Sequence, residues 1–320
     1  MREVYEKRIG YNGNLGEISS AVCKSFNLGE FLANKLILRG YEDFNFVLET
    51  RKEKYLVKVF ANFRSDKDCQ RYIDILRDVI TARVKTPKLF KSEQGYISKL
   101  KINDCNLRLC VMEYIKGKDI FSLRKTLNEN EIKFIAKQAA LINSIDIKPQ
   151  AIYDSWAIVN FQEEFRKTKK YLSVRDLKLI EPLVQEFNNL RIKELPHCFV
   201  HGDIIATNVM KDKDKLWIID FAVANYYPRI QELAVLACNL FFDAKSKTKS
   251  ENNLNIALEE YQKKIKLTDK ELNVLPRYID LAHAMHIIGA TYAKAVDQNI
   301  SKENKYWLQQ GRKGLEQKLK

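Results

Sequence analysis

The sequence predicts an α+β chain of two unequal lobes: a small N-terminal lobe with an antiparallel sheet over residues 1–113, and a larger, mainly helical C-terminal lobe over 114–320. Three observations predict it. Strand-like alternation is concentrated between Leu36 and Phe60 and again at Leu107–Ile115. Helical periodicity dominates from Glu129 onward. One hairpin pattern near residues 198–221 interrupts those helices. A chain of 320 residues is long enough to bury a core in each lobe.

In the first lobe, Leu36–Leu38 and Phe46–Glu49 alternate like strands around a turn at Arg39-Gly40-Tyr41-Glu42-Asp43. Tyr55–Phe60 reads as a third strand whose apolar run is interrupted by Lys58. A lysine there is costly unless its ammonium meets an anion, and the α- and β-phosphates of ATP are the obvious one. Ser65-Asp66 looks like a helix start, and Cys69–Val79 carries apolar residues at helical spacing. A hairpin is expected around Gln94-Gly95, then a strand from Leu107 to Ile115 with Gly117 behind it.

In the second lobe, Glu129–Ser144, Phe161–Leu172 and Leu177–Leu190 read as amphipathic helices. An apolar helix is expected from Pro228 to about Asp243, a polar break at Lys245–Glu251, and a further helix at Leu254–Ile265. Thr268 and Glu271 have the spacing of a capping box, opening a helix that runs past Pro276 to about Val296. A last helix spans about Lys302–Leu319.

The chemistry concentrates at 198–221. His201-Gly202-Asp203 is followed by Asn208, and Ile219-Asp220-Phe221 comes after an apolar strand. Pairing of Asn208–Met210 with Leu216–Ile219, across the polar turn Lys211–Lys215, brings Asn208 and Asp220 together although they are 12 positions apart. Metal-dependent phosphoryl transfer needs this set. Asp203 orients a hydroxyl and accepts its proton, while Asn208 and Asp220 supply hard oxygen ligands to Mg2+.

These residues resemble the catalytic loop of the aminoglycoside phosphotransferase, choline kinase and homoserine kinase superfamily, over roughly residues 15–315. The resemblance implies a bilobal protein-kinase-like fold using ATP and Mg2+, with a small-molecule hydroxyl as acceptor. By the same resemblance Asp203 is the catalytic base, Asn208 and Asp220 are metal ligands, and His201 supports the loop. The turn at Gly40 is similar to a phosphate-covering turn, and Glu232 stands where the family has an Asp that braces the loop. The family also has an acid on the helix after the lysine strand. Asp74 is taken as that partner of Lys58, with Asp68 and Asp78 nearby; alignment on Ile75-Leu76-Arg77 puts the family's Glu nearer Tyr72. The segment at Glu113–Ile115 looks like the hinge, where the Glu113 carbonyl and the Ile115 amide meet adenine. A protein Ser/Thr kinase and a nucleotide-binding pseudokinase stand as alternatives. A base at Asp203 speaks against the second.

Other classes fit less well. The net charge is +14, but the Lys and Arg are spread along the chain and no common nucleic-acid motif is present. That charge also disfavours a polycationic acceptor unless acidic residues gather at the pocket mouth. The six Cys form no CxxC pair, and no apolar run reaches about 18 residues, so a cytoplasmic chain with reduced thiols and no membrane span is expected. His283 and His286 lie on one helix without further ligands, which fits pocket lining or burial better than zinc. The acceptor's identity and the oligomeric state are not encoded in any local pattern.

Overall fold

The structure is a computed structural model that describes residues 2–37 and 43–318. The chain divides into two compact units, Met1–Gly117 and Lys118–Lys320. Gly40 and its neighbours Leu38, Arg39, Tyr41 and Glu42 lie outside the described residues.

The first unit contains α1 (Arg2–Ile9), α2 (Leu15–Ser25), β1 (Phe31–Ile37), β2 (Phe44–Thr50), β3 (Lys54–Val59), α3 (Asp66–Thr81), β4 (Leu89–Phe90), β5 (Ser98–Ile102) and β6 (Cys105–Glu113). Its sheet runs β1-β2-β3-β6-β4, with β5 also on β6, and every pairing is antiparallel. Period-2 alternation sends Phe44, Phe46 and Leu48 of β2 inward, where they meet Val57, Val59, Leu109 and Val111. Ile18 and Val22 of α2 belong to the same core, so α2 covers that face of the sheet. Helix α3 starts where a capping box forms between Ser65 and Asp68, as the Ser65-Asp66 signal suggested. The hairpin expected at Gln94-Gly95 is reduced to one bridge between Ser92 and Gly95, because the strands on either side both pair with β6.

The second unit contains β7 (Lys118–Asp119), α4 (Ile120–Leu123), α5 (Glu129–Asn143), α6 (Phe161–Thr168), α7 (Val174–Asn188), β8 (His197–Val200), β9 (Val209–Asp212), β10 (Lys215–Ile218), β11 (Asn225–Pro228), α8 (Ile230–Cys238), α9 (Lys247–Gln262), α10 (Asp269–Ala295) and α11 (Lys302–Lys318). Two small sheets, β10-β9-β7 and β11-β8, lie among these helices. The buried stripe Ile132, Ile135, Ala136, Ala139 and Ile142 lets α5 pack on α9 and β8. The capping box at Thr268 and Glu271 opens α10, which continues through Pro276. Gly311 and Gly314 of α11 sit directly against His283 and His286; a methyl at Gly314 would come within 2.2 Å of the His283 ring. No helix among the described residues is long and apolar enough to cross a membrane.

The expected polar break at Lys245–Glu251 is mostly helix. Ser246 caps Lys249 and α9 begins at Lys247, with its buried contacts concentrated later at Ala257 and Tyr261. The apolar helix before it ends at Cys238, five residues short of the expected Asp243.

Candidate functional site

Loop 201–208 links β8 to β9, and its shape is held by side chains on neighbouring elements. Glu232 of α8 is fully buried and accepts from the His201 amide (2.6 Å) and the Gly202 amide (3.3 Å). The extra methylene relative to Asp therefore still permits bracing. Asn143 of α5 donates to the same carboxylate (3.3 Å) and to the Phe199 carbonyl (3.0 Å), and Tyr261 of α9 donates to Asn143 (2.8 Å). Asn239 accepts from the Ala206 amide (2.9 Å), and the Ala206 carbonyl accepts from the Phe121 amide (3.0 Å). Gly202 has φ +77°, in the left-handed region that glycine enters without penalty.

His201 ties the loop to the strand before Asp220. Its Nε2 meets the Ile219 carbonyl (3.1 Å), which can only accept, so Nε2 carries the proton. Nδ1 then accepts from the Asp203 amide (3.2 Å). Burial lowers the ring's pKa to about 4, which keeps this tautomer neutral.

Asn208 completes the loop by donating Nδ2 to the Asp203 carbonyl (3.0 Å) and carboxylate Oδ2 (2.7 Å). That orientation presents amide Oδ1 as its acceptor. Hairpin β9–β10 pairs Val209 with Ile218 and Met210 with Trp217, and the Ile219 amide bonds the Asn208 carbonyl (2.9 Å). The expected strands are present, with a tighter turn at Lys213-Asp214. Asp220 follows β10 with φ +66°, a conformation unusual for a residue with a side chain and frequent at functional sites.

Asp203 is electrostatically crowded. Burial raises its pKa well above the usual carboxylate range, and the charges of Asp154, Asp220 and Glu303 push the same way against the Asn208 hydrogen bond. Asp154 and Glu303 come from distant segments and carried no local motif. Rings adjoin them in sequence: Trp156 lies flat on Gly289, and Tyr306 and Trp307 pack on Phe121 with centroids 5.1 and 5.9 Å away. His286 sits between Trp156 (6.5 Å) and Trp307 (5.4 Å), and His283 beside Phe242 (4.8 Å); both rings are buried, and burial lowers the pKa of each. Among the described residues no three His, Cys, Asp or Glu side chains are grouped to enclose a metal ion. Asp220 and the Asn208 amide oxygen offer the hard oxygen donors that a cation such as Mg2+ prefers.

In the other unit, Lys58 projects from β3 with only 8% of its side chain exposed, and its ammonium bonds Asp43 at 3.1 Å. Asp74 does not take that role. Its carboxylate is half exposed on α3, accepts from Gln70 (2.9 Å) and lies 3.5 Å from Arg77. Tyr72 is the α3 residue turned toward Lys58, its ring centroid 5.1 Å from the ammonium. Glu113 ends β6, with its amide bonded to the Lys88 carbonyl (2.9 Å) and its carboxylate accepting from the Lys88 amide (3.3 Å). Ile115 follows, buried.

A family model described as "Phosphotransferase enzyme family" matches residues 34–262. No curated protein matches the chain. Among solved structures, an amicoumacin kinase in complex with AMP-PNP, Ca2+ and amicoumacin has a TM-score of 0.70 at 17% identity, over 99% of this chain and 96% of its own. A spectinomycin phosphotransferase in complex with ADP and spectinomycin has a TM-score of 0.66 at 13% identity, over 94% and 98%. The choline kinase LicA from Streptococcus pneumoniae has a TM-score of 0.61 at 15% identity, over 94% and 99%. These likenesses establish the kinase-like α+β fold, and the matched model, spanning most of the chain, establishes that it belongs to the phosphotransferase enzyme family.

Proposed function

We propose that this phosphotransferase moves the γ-phosphoryl group of ATP to a hydroxyl of a small metabolite, with Mg2+ as the metal. The observation that carries the reading is Asp203, held by Asn208 at 2.7 Å on a loop locked by His201 and Glu232. A carboxylate so placed aligns a hydroxyl and receives its proton, and its raised pKa improves it as an acceptor. Asn208 and Asp220 would hold the metal, which supplies neutralisation of phosphate charge when bound. Lys58 would hold the α- and β-phosphates, and the backbone at Glu113 and Ile115 would meet adenine. The Gly40 turn is assigned to the phosphates on the same reading. Little covalent work falls to the protein in such a reaction, so positioning and electrostatics account for most of the rate.

The carboxylates of Asp154 and Glu303 that act on Asp203, together with the partly exposed rings of Trp156 and Tyr306 close to them in sequence, favour an acceptor with a positive charge over a neutral sugar. Acidic residues thus gather beside the base, the condition under which a basic chain tolerates a cationic acceptor. ADP release across a panel of hydroxyl compounds, cationic and neutral, tests both levels. Turnover with one panel member that disappears in Asp203→Ala supports the reaction. A preference for neutral acceptors overturns the charge assignment alone, and an active Asp203→Ala enzyme overturns the base.

A further inference from the structure

Lys58 carries a charge into the interior of a sheet, and burial of an ammonium demands a counter-charge close by. The helix that follows, α3, turns an aromatic ring toward it. Tyr72 is 5% exposed and packs edge-on against Phe60, with centroids 5.8 Å apart. A phenol face attracts an ammonium but does not neutralise it.

The neutralising group lies on the other side of the sheet connection. Asp43 precedes β2, and the β2–β3 register sets Asn45 opposite Lys58, which makes Asp43 a diagonal neighbour on the same face. Its carboxylate is buried and accepts three hydrogen bonds: Lys58 Nζ at 3.1 Å, Arg64 Nε at 2.8 Å and the Ala61 amide at 3.1 Å. Burial alone would raise its pKa, but Lys58 and Arg64 outweigh that and hold it below the ordinary value. Asp43 thus holds the Lys58 ammonium and the Arg64 guanidinium side by side in a place largely withdrawn from water.

We propose that Asp43, together with Arg64, is the positioning residue for Lys58 in nucleotide binding, holding the ammonium from the entrance of β2. The proposal rests on the phosphate-binding reading of Lys58. Strand register, and not a helix position, then sets where the ammonium stands. Arg64 completes the anchor as a second cation on the same carboxylate.

Calorimetric titration of the full chain with ATP and Mg2+ tests it, with melting temperature recorded for each variant. Asp43→Asn is expected to weaken ATP binding about tenfold, as is Lys58→Met, and the double variant is expected to be no worse than either alone, because coupled residues are non-additive. Tyr72→Glu added to Asp43→Asn restores a carboxylate from the helix side and is expected to recover part of the affinity, whereas Tyr72→Phe in the same background recovers none. Arg64→Gln leaves the Lys58–Asp43 bond in place and is expected to weaken binding about threefold; it carries the test if Asp43→Asn does not fold. Unchanged ATP affinity in Asp43→Asn with a weakened Lys58→Met overturns the anchor alone, as does additivity of the two. So does a lowered melting temperature with unchanged affinity. Unchanged affinity in Lys58→Met overturns the nucleotide reading beneath it.

Discussion

Asp43 and Asp203 are both carboxylates withdrawn from water, and their surroundings are opposite. Around Asp43 stand Lys58, Arg64 and a backbone amide, so its charge is matched and its pKa is held low. Around Asp203 stand Asp154, Asp220 and Glu303, so burial and repulsion both push its pKa up. The first arrangement is complete in itself. The second would gain stability from positive charge placed beside it. Finished ion pairs position, whereas unbalanced carboxylates act on what they bind.

The largest expected effect therefore belongs to Asp203. Asp203→Ala is expected to lower turnover about a thousandfold, in the range of a lost general base, with a melting temperature at or above the parent's because repulsion is relieved. ADP release and thermal melting read the two quantities on one sample. A stability loss matching the activity loss would make Asp203 a structural carboxylate and remove it from the base role.

Glu232 sharpens the contrast, being fully buried among hydrogen-bond donors with no cation bonded to it among the described residues. Burial raises its folded pKa to about 7, above an unfolded value of about 4.3. Between those values the folded chain binds more protons than the unfolded one. This group's stabilisation is fully present below about pH 4.3 and is lost as pH rises through about 7. Asp43 has the reverse sign: its contribution is present above the ordinary aspartate value and is lost as pH falls through its lowered one. Glu232→Gln sets an amide against the Gly202 N–H and is expected to cost about 1–3 kcal/mol, with a tenfold or larger loss of activity at about one lost loop bond. Its melting temperature should lie furthest below the parent's at low pH, and the gap should narrow as pH rises through about 7. A gap that widens instead would mean that the donors dominate burial at Glu232.

The two centres also differed in how legible they were from sequence. The loop around Asp203 is local: Asp203, Asn208 and Asp220 fall within 18 residues, joined by one short hairpin whose polar turn and apolar strands are visible in the string. Lys58 was visible for another reason, since a charge within Tyr55–Phe60 must find an anion. Its partner was not, because Asp43 is chosen by strand register and the lysine helix directed attention to Asp74. Asp154, Glu303 and Asn143 reach the site by long-range packing, which leaves no periodic trace. The same limit hid β11, a short strand defined only by its pairing with β8. At Lys247–Glu251 polarity concealed a helix, because the first turns of α9 are solvated and only its later turns are buried.

Backbone strain gives a smaller, cleaner comparison. Gly202 sits at φ +77° with the nearest heavy atom to an added methyl at 3.8 Å, so space is not the obstacle and conformation is. Gly202→Ala is expected to cost about 1–2 kcal/mol from the left-handed backbone, read as a melting shift of a few degrees. The Glu232 bond to the residue-202 amide should persist, and turnover should fall far less than in Asp203→Ala. A variant as inactive as Asp203→Ala with little loss of stability would show that the loop tolerates no adjustment around the base.

Asp74 supplies the smallest expected effect and the sharpest control for Asp43. Both are aspartates in the first unit. Asp43 is about 3% exposed at its side chain and bonded to two cations, whereas Asp74 is 50% exposed and meets Arg77 at 3.5 Å on a helix face. An exposed pair of that kind is worth about 0–1 kcal/mol. Asp74→Ala should therefore leave ATP affinity and melting temperature close to the parent's, measured beside Asp43→Asn. Loss of ATP affinity in Asp74→Ala without loss of stability would return the lysine's partner to α3, and the contrast between a finished ion pair at Asp43 and an unfinished one at Asp203 would lose its first member.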